Sequence, residues 1–283
     1  MHRGLFLAPF GDLADPRRVA DLAASAEGAG WEGLFLWDHI QADPGTPVAD
    51  PMVTLGAAAA LTSSLRLGAL VTPVARRRPW VLARQLASLD RLSGGRVIFG
   101  VGLGDDGWRE FSAFGEPATP ARRATALDEG LAIIRSMWTG APVRIAGTAY
   151  QVDSAPFLPR PLQNPIPTWA ACRWPHQRPL RRAAALEGCF PIFGGGWPPP
   201  PPAPEQVAAV RARLLALGAS PDADLVVTHA SWAQHGRPRE ELAGLEEAGA
   251  TWWLEWLGPQ GMSAAGIEAL VAAGPGAGSR GRA

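Results

Sequence analysis

The feature that most constrains this chain is an alternation of short apolar runs with longer amphipathic ones, repeated in eight successive pairs. Continuous apolar runs mark strands covered on both faces, the condition of a parallel sheet wrapped by helices. The predicted strands span residues 4–9, 33–37, 66–71, 96–101, 168–172, 189–193, 224–229 and 251–256. Helices are predicted from Asp15 to the Gly28-Ala29-Gly30 stop, then over 51–62, 79–92, 120–138, 179–187, 204–217, 238–248 and 263–273. Several begin with proline in the first turn, where the missing N–H costs nothing, and Asp50 stands where an N-cap is wanted. Residues 143–152 read as a β-hairpin inserted after the fourth helix, a decoration and not a barrel strand.

An open doubly wound sheet is the competing arrangement, but it calls for a glycine-rich turn after the first strand. Ala8-Pro9-Phe10-Gly11-Asp12 holds no such turn, so the α/β class resolves to a closed (β/α)8 TIM barrel. The chain has 283 residues, and such a barrel needs about 250. A single domain is expected over 1–273, with 274–283 as a disordered tail. Five consecutive prolines within 194–204 favour an extended polyproline stretch.

Composition narrows the chemistry. The chain has no lysine, which excludes Schiff-base and pyridoxal chemistry, carbamylated-lysine metal sites and Walker A loops. Its formal net charge of zero offers no basic footprint for nucleic acid or an anionic membrane. Two cysteines make no disulfide framework, and no run is long enough for a membrane span, so a cytoplasmic protein is expected. Cys172 and Cys189 read as buried small residues.

Barrel active sites lie at strand C-termini. There the sequence places Trp37-Asp38-His39, Thr72-Pro73, Gly102-Leu103-Gly104-Asp105, Cys172-Arg173-Trp174-Pro175-His176 and Thr228-His229. From position alone, His39 is a proton carrier or a surface histidine. Asp38 is its orienting carboxylate or a loop contact. Gly102 and Gly104 allow close backbone approach or simply bend the chain. Thr72 reads as a cap of the turn before Pro73, and Asp105 as ordinary turn chemistry. Arg76, Arg77 and Arg78 read as a solvated run, and most tryptophans as core.

The segments AEGAGWEGLFLWDH (26–39) and DPMVTLGAAAALTSSLRLGALVTPVARRRPWVLARQLASLDRLSGGRVIFGVGLG (50–104) resemble the bacterial-luciferase-like flavin and deazaflavin oxidoreductases. RRATALDEGLAIIRSMWTG (122–140) and FLPRPLQNPIPTWAA (157–171) are similar to that family too. The resemblance implies FMN or coenzyme F420 as cofactor, with the Asp38-His39 pair tilting towards F420. It implies His39, Asp38 and Asp105 as the catalytic set, and Thr72, Gly102 and Gly104 beside the ring. It also implies a non-prolyl cis peptide at Ala69-Leu70. The cofactor phosphate is expected at Arg173, His176 and Arg178, ahead of the fifth helix. Relatives often carry Gly-Gly there, whereas this chain has Ala171-Cys172-Arg173. A small organic substrate, a separate flavin or F420 reductase and a homodimer are further expectations, as monooxygenase or hydride-transfer enzyme. The rivals are a non-catalytic flavin-binding barrel and a metal-dependent barrel hydrolase. The hydrolase would want a His-x-His and a bridging lysine, which this chain lacks, so no metal ligands are assigned.

Overall fold

The computed structural model describes residues 1–194, 200, 202–230, 239–258 and 262–276. Its strands are β1 His2–Leu7, β2 Gly33–Leu36, β3 Arg66–Ala69, β4 Thr72–Pro73, β5 Phe99–Gly102, β6 Val143–Ala146, β7 Gln151–Ser154, β8 Thr168–Arg173, β9 Gly188–Ile192, β10 Asp224–His229 and β11 Trp252–Leu257. Its helices are α1 Pro16–Gly28, α2 Pro51–Leu61, α3 Pro79–Leu92, α4 Pro120–Trp138, α5 Gln177–Ala184, α6 Pro204–Ala216, α7 Arg239–Glu247 and α8 Ala264–Ala273. Asp15 and Asp50 cap α1 and α2 by accepting the Arg17 and Val53 N–H groups.

The main sheet runs β3-β2-β1-β11-β10-β9-β8-β5-β4, and every neighbouring pair is parallel. Its two end strands, β3 and β4, are halves of one barrel position. The Leu67 N–H donates to the Arg96 carbonyl (3.1 Å) and Ile98 N–H to the Leu67 carbonyl (2.9 Å), which closes the ring. The expected strand 66–71 is therefore split, and the break falls at a cis bond between Leu70 and Val71. The expected cis position, Ala69-Leu70, is one residue too early.

Alternate residues of each strand face the barrel axis. Phe35, Trp169 and Trp252 fill the lower interior, with ring centroids 5.1 Å (Phe35–Trp169) and 5.5 Å (Trp169–Trp252) apart. The outward residues Leu5, Leu34, Leu67, Phe99 and Leu225 pack beneath the helices. Burial on both faces explains why the strands read as unbroken apolar runs.

β6 and β7 form the inserted antiparallel hairpin, outside the barrel. Glu129 on α4 ties it down by accepting the N–H groups of Thr148, Ala149 and Tyr150. The fifth helix sits earlier than the predicted 179–187, because the chain leaves it through a turn at Ala185 and Leu186 to enter β9. The proline-run expectation falls largely on 195–199 and 201, and most of the expected tail on 277–283, outside the described residues.

Candidate functional site

β2 ends at Leu36, and the chain carries Trp37, Asp38 and His39 onto the rim of the barrel. The loop after β5 returns to meet them. Asp106 accepts the Phe111 and Ser112 N–H groups, which fixes this loop, and Arg109 turns it in a left-handed conformation (φ 57°). That turn leaves Arg109 exposed and sends Glu110 inwards. Glu110 Oε2 lies 2.7 Å from His39 Nδ1, and Glu110 Oε1 accepts the Ile40 N–H.

Arg76 completes the arrangement from the 3-10 turn Val74–Arg76 that follows β4. One of its nitrogens donates to Glu110 Oε1 (2.8 Å), the other to the Asp38 carbonyl (2.7 Å) and Asp38 Oδ1 (2.8 Å). Arg77 takes the rest of the Asp38 carboxylate through two further bonds of 3.0 and 2.8 Å. The side chains of Arg76, Glu110 and Asp38 are 3 %, 2 % and 1 % exposed. Two carboxylates and two guanidiniums thus cancel, which is the condition for burying them.

Two expectations are corrected here. Arg76 and Arg77 are not a solvated run; only Arg78 of the three is exposed. Asp38 does not orient His39 either, because both of its oxygens are engaged by the two arginines. Glu110, which sequence reasoning missed, has that place.

The electrostatics follow from the contacts. Burial alone would raise the Glu110 pKa, but the His39 hydrogen bond, the charges of His39 and Arg76 and the Ile40 N–H together hold it below the ordinary carboxylate value. Burial would lower the Arg77 pKa, and Asp38 outweighs that and raises it. An ionised Glu110 can only accept a hydrogen bond, so it fixes the proton on His39 Nδ1 and leaves Nε2 as the acceptor. Phe10, Trp37 and Trp108 surround the imidazole at ring-centroid distances of 5.7, 5.7 and 4.9 Å. His39 is 23 % exposed, enough to exchange a proton with a bound molecule.

The other predicted residues divide. The Thr72 hydroxyl is buried and has no hydrogen-bond partner among the described residues, an orphan that a ligand's polar edge would satisfy. A Cβ on Gly102 would lie 2.5 Å from the Val71 side chain. One on Gly104 (φ +72°) would lie 2.8 Å from the Pro73 side chain. Both glycines therefore let β5 and its loop close on β4 and on Val71 just before it. Ala69 and Leu70 are buried just before it. The Asp105 carboxylate accepts the Gly107 N–H at 2.7 Å, which is turn chemistry, and no described contact joins it to His39. Arg173, His176 and Arg178 are exposed around the start of α5, where His176 is the N-cap residue without a side-chain capping bond. Cys172 and Cys189 are buried as expected, with sulfurs 3.1 Å apart.

A closed parallel barrel with a buried ion network behind a rim histidine defines the class. The chain belongs to the luciferase-like monooxygenase family, whose model matches residues 1–253. It is 34 % identical over 165 residues to a protein of Nakamurella multipartita named F420-dependent glucose-6-phosphate dehydrogenase, a match covering 56 % of this chain and 48 % of that one. The chain thus spans about half the length of this relative. Among solved structures it resembles an F420-dependent secondary alcohol dehydrogenase described in complex with an F420-acetone adduct (TM-score 0.75, 18 % identity, covering 97 % of this chain and 98 % of that one). It also resembles the monooxygenase RslO1 of Streptomyces bottropensis (TM-score 0.75, 21 % identity, 96 % of both chains). At that identity the two structures show the shared barrel.

Proposed function

We propose that this protein is a redox enzyme that binds coenzyme F420, with FMN as the alternative ring, and oxidises or reduces a small organic substrate. The observation that carries this reading is the His39–Glu110 pair, a proton carrier with its tautomer fixed, at the rim of the barrel. An oriented imidazole suits a reaction in which a hydride and a proton move together, as between an alcohol and a carbonyl. The curated relative and the alcohol dehydrogenase, both named as F420-dependent, support the choice of deazaflavin.

The residues at the strand ends fit such a group. Thr72 offers an unpaired buried hydroxyl to its polar edge, directly after the Leu70-Val71 bond at the break between β3 and β4. Backbone amides at the start of α5, with Arg173, His176 and Arg178, would hold the phosphate. When bound, the deazaflavin supplies the two-electron acceptor or donor. His39 Nε2 takes the hydroxyl proton of an alcohol as its carbon gives up the hydride, and returns it in the reverse direction. Glu110 keeps Nδ1–H in place throughout, and the aromatic wall of Phe10, Trp37 and Trp108 limits water at the imidazole.

The test supplies oxidised F420 with a panel of small alcohols and follows the deazaflavin absorbance. Wild-type protein is expected to turn over at least one, and His39→Ala to lose about 100-fold in rate while still binding the cofactor. A His39→Ala variant as fast as wild type would overturn the role given to His39.

A further inference from the structure

Arg123 occupies a position that is unfavourable to a cation on two counts. It lies in the opening turn of α4, where the aligned peptide dipoles favour negative charge, and it is only 6 % exposed. No ion pair relieves it among the described residues, and its Nε has no hydrogen-bond partner there. What it does touch belongs to a single segment. Nη1 donates to the Gly104 carbonyl (3.0 Å), and the guanidinium lies over the Phe111 ring, 4.8 Å from its centroid. Its charge also reaches Asp106, whose carboxyl is held below its ordinary pKa first by the Phe111 N–H and further by Ser112 and Arg123.

These contacts bracket the loop that delivers Glu110. Gly104 opens the loop after β5, Asp106 accepts the Phe111 and Ser112 N–H groups, and Phe111 directly follows Glu110. Phe111 is fully buried against Ala75 and Ala126, and Ala75 precedes Arg76, the other partner of Glu110. The packing is close: a Cβ on Gly104 would lie 3.0 Å from the Phe111 ring. Arg123 therefore ties both ends of the segment 104–111 to α4. The carboxylate carried between those ends meets His39 Nδ1 at 2.7 Å.

A guanidinium suits this task because it donates in its plane to a carbonyl while its face lies on an aromatic ring, which a lysine ammonium does not reproduce. The tolerance is small. A shift of the loop by about 1 Å would carry Glu110 out of hydrogen-bond reach of the imidazole.

We propose that Arg123 is a positioning residue: through Gly104 and Phe111 it sets the place of Glu110, and through Glu110 the proton on His39 Nδ1. The claim concerns the imidazole tautomer, and only its consequence for turnover rests on the proposed function.

The experiment records imidazole nitrogen chemical shifts of the full chain labelled at histidine, with the His39 signals assigned by their absence from His39→Ala. Arg123→Met keeps the stem and removes the charge and the donor. Its thermal midpoint is expected to fall by no more than about 4 °C, while His39 passes from one tautomer to a mixture. Arg123→Lys, which restores the charge and one donor but not the flat contact with Phe111, is expected to recover the single tautomer in part. A single unchanged tautomer in folded Arg123→Met would overturn the proposal, and a lysine variant no better than methionine would overturn the part given to the Gly104 bond. Should Arg123→Met fail to fold, Phe111→Leu decides in its place, since it removes the ring beneath an intact guanidinium: a mixture supports the proposal and a single tautomer overturns it. With F420 and an alcohol, Arg123→Met should show kcat about 10-fold lower at unchanged KM. A tautomer mixture in that variant, with no alcohol turned over even by wild type, would sink the redox reading and leave the positioning role standing.

Discussion

His39 Nδ1 and Glu110 Oε2 stand 2.7 Å apart although 71 positions separate the two residues in sequence. The contact joins the end of β2 to an irregular loop after β5, and it converts a rim histidine into an oriented one. A base held by a second group that is itself hydrogen-bonded is a recurrent arrangement for moving protons.

Glu110→Gln preserves shape but lets the side-chain amide present either an acceptor or a donor to Nδ1. The fixed tautomer is then lost. Turnover is expected to drop roughly 10- to 100-fold with little change in substrate KM. Imidazole nitrogen chemical shifts should report a mixture of tautomers where wild type shows one. A single unchanged tautomer would contradict the role assigned to Glu110.

Asp38 makes the contrasting case. Its neighbours are Arg76 and Arg77, so Asp38→Ala leaves two buried guanidiniums short of a counter-charge. A destabilisation of about 3 kcal/mol is expected in urea unfolding, while the His39 tautomer survives in the folded fraction. If Asp38→Ala alters the tautomer at unchanged stability, Asp38 orients the imidazole after all.

Gly102→Ala tests the close approach at the end of β5. Its new Cβ would press on Val71 at 2.5 Å, with an expected cost of roughly 1–3 kcal/mol. Because Val71 follows the break between β3 and β4, cofactor affinity should fall as well. An alanine variant as stable as wild type would mean that Val71 moves aside freely.

Acid stability provides a test remote from the site. Burial tends to raise the Glu27 pKa, but the N–H groups of Ser63, Ser64 and Leu65 and the Ser64 hydroxyl bring it down to about 2. A folded-state pKa below the unfolded one contributes stability that is present above the unfolded value and is lost as pH falls through the folded value. The contribution of Glu27 should therefore fade between about pH 4.5 and pH 2. Glu110, depressed in the same direction, adds to that loss. Glu27→Gln should flatten the acid limb of a urea-midpoint profile, and an unchanged limb would contradict the assignment.

Much of the barrel was legible because periodicity and proline placement are local. Asp15 and Asp50 cap where their positions predict, and the hairpin is an insertion as read. The break at Leu70-Val71 was less legible, since nothing in RLGALV itself marks which bond turns. Arg76 and Arg77 show the limit of local reading. Three adjacent arginines have the composition of a solvated loop, and only the return of Asp38 and Glu110 from other strands buries two of them. Glu110 left no periodic signal because it lies in an irregular loop, although, like Asp105, it is an acidic residue just beyond the end of β5.

The most direct test of the central claim is separate titration of the purified protein with coenzyme F420 and with FMN, followed by cofactor fluorescence. Saturable binding well below about 1 mM is predicted for at least one, with F420 the tighter, and weaker binding in Thr72→Val, which removes the unpaired hydroxyl. Failure of both to bind below that concentration would contradict the account.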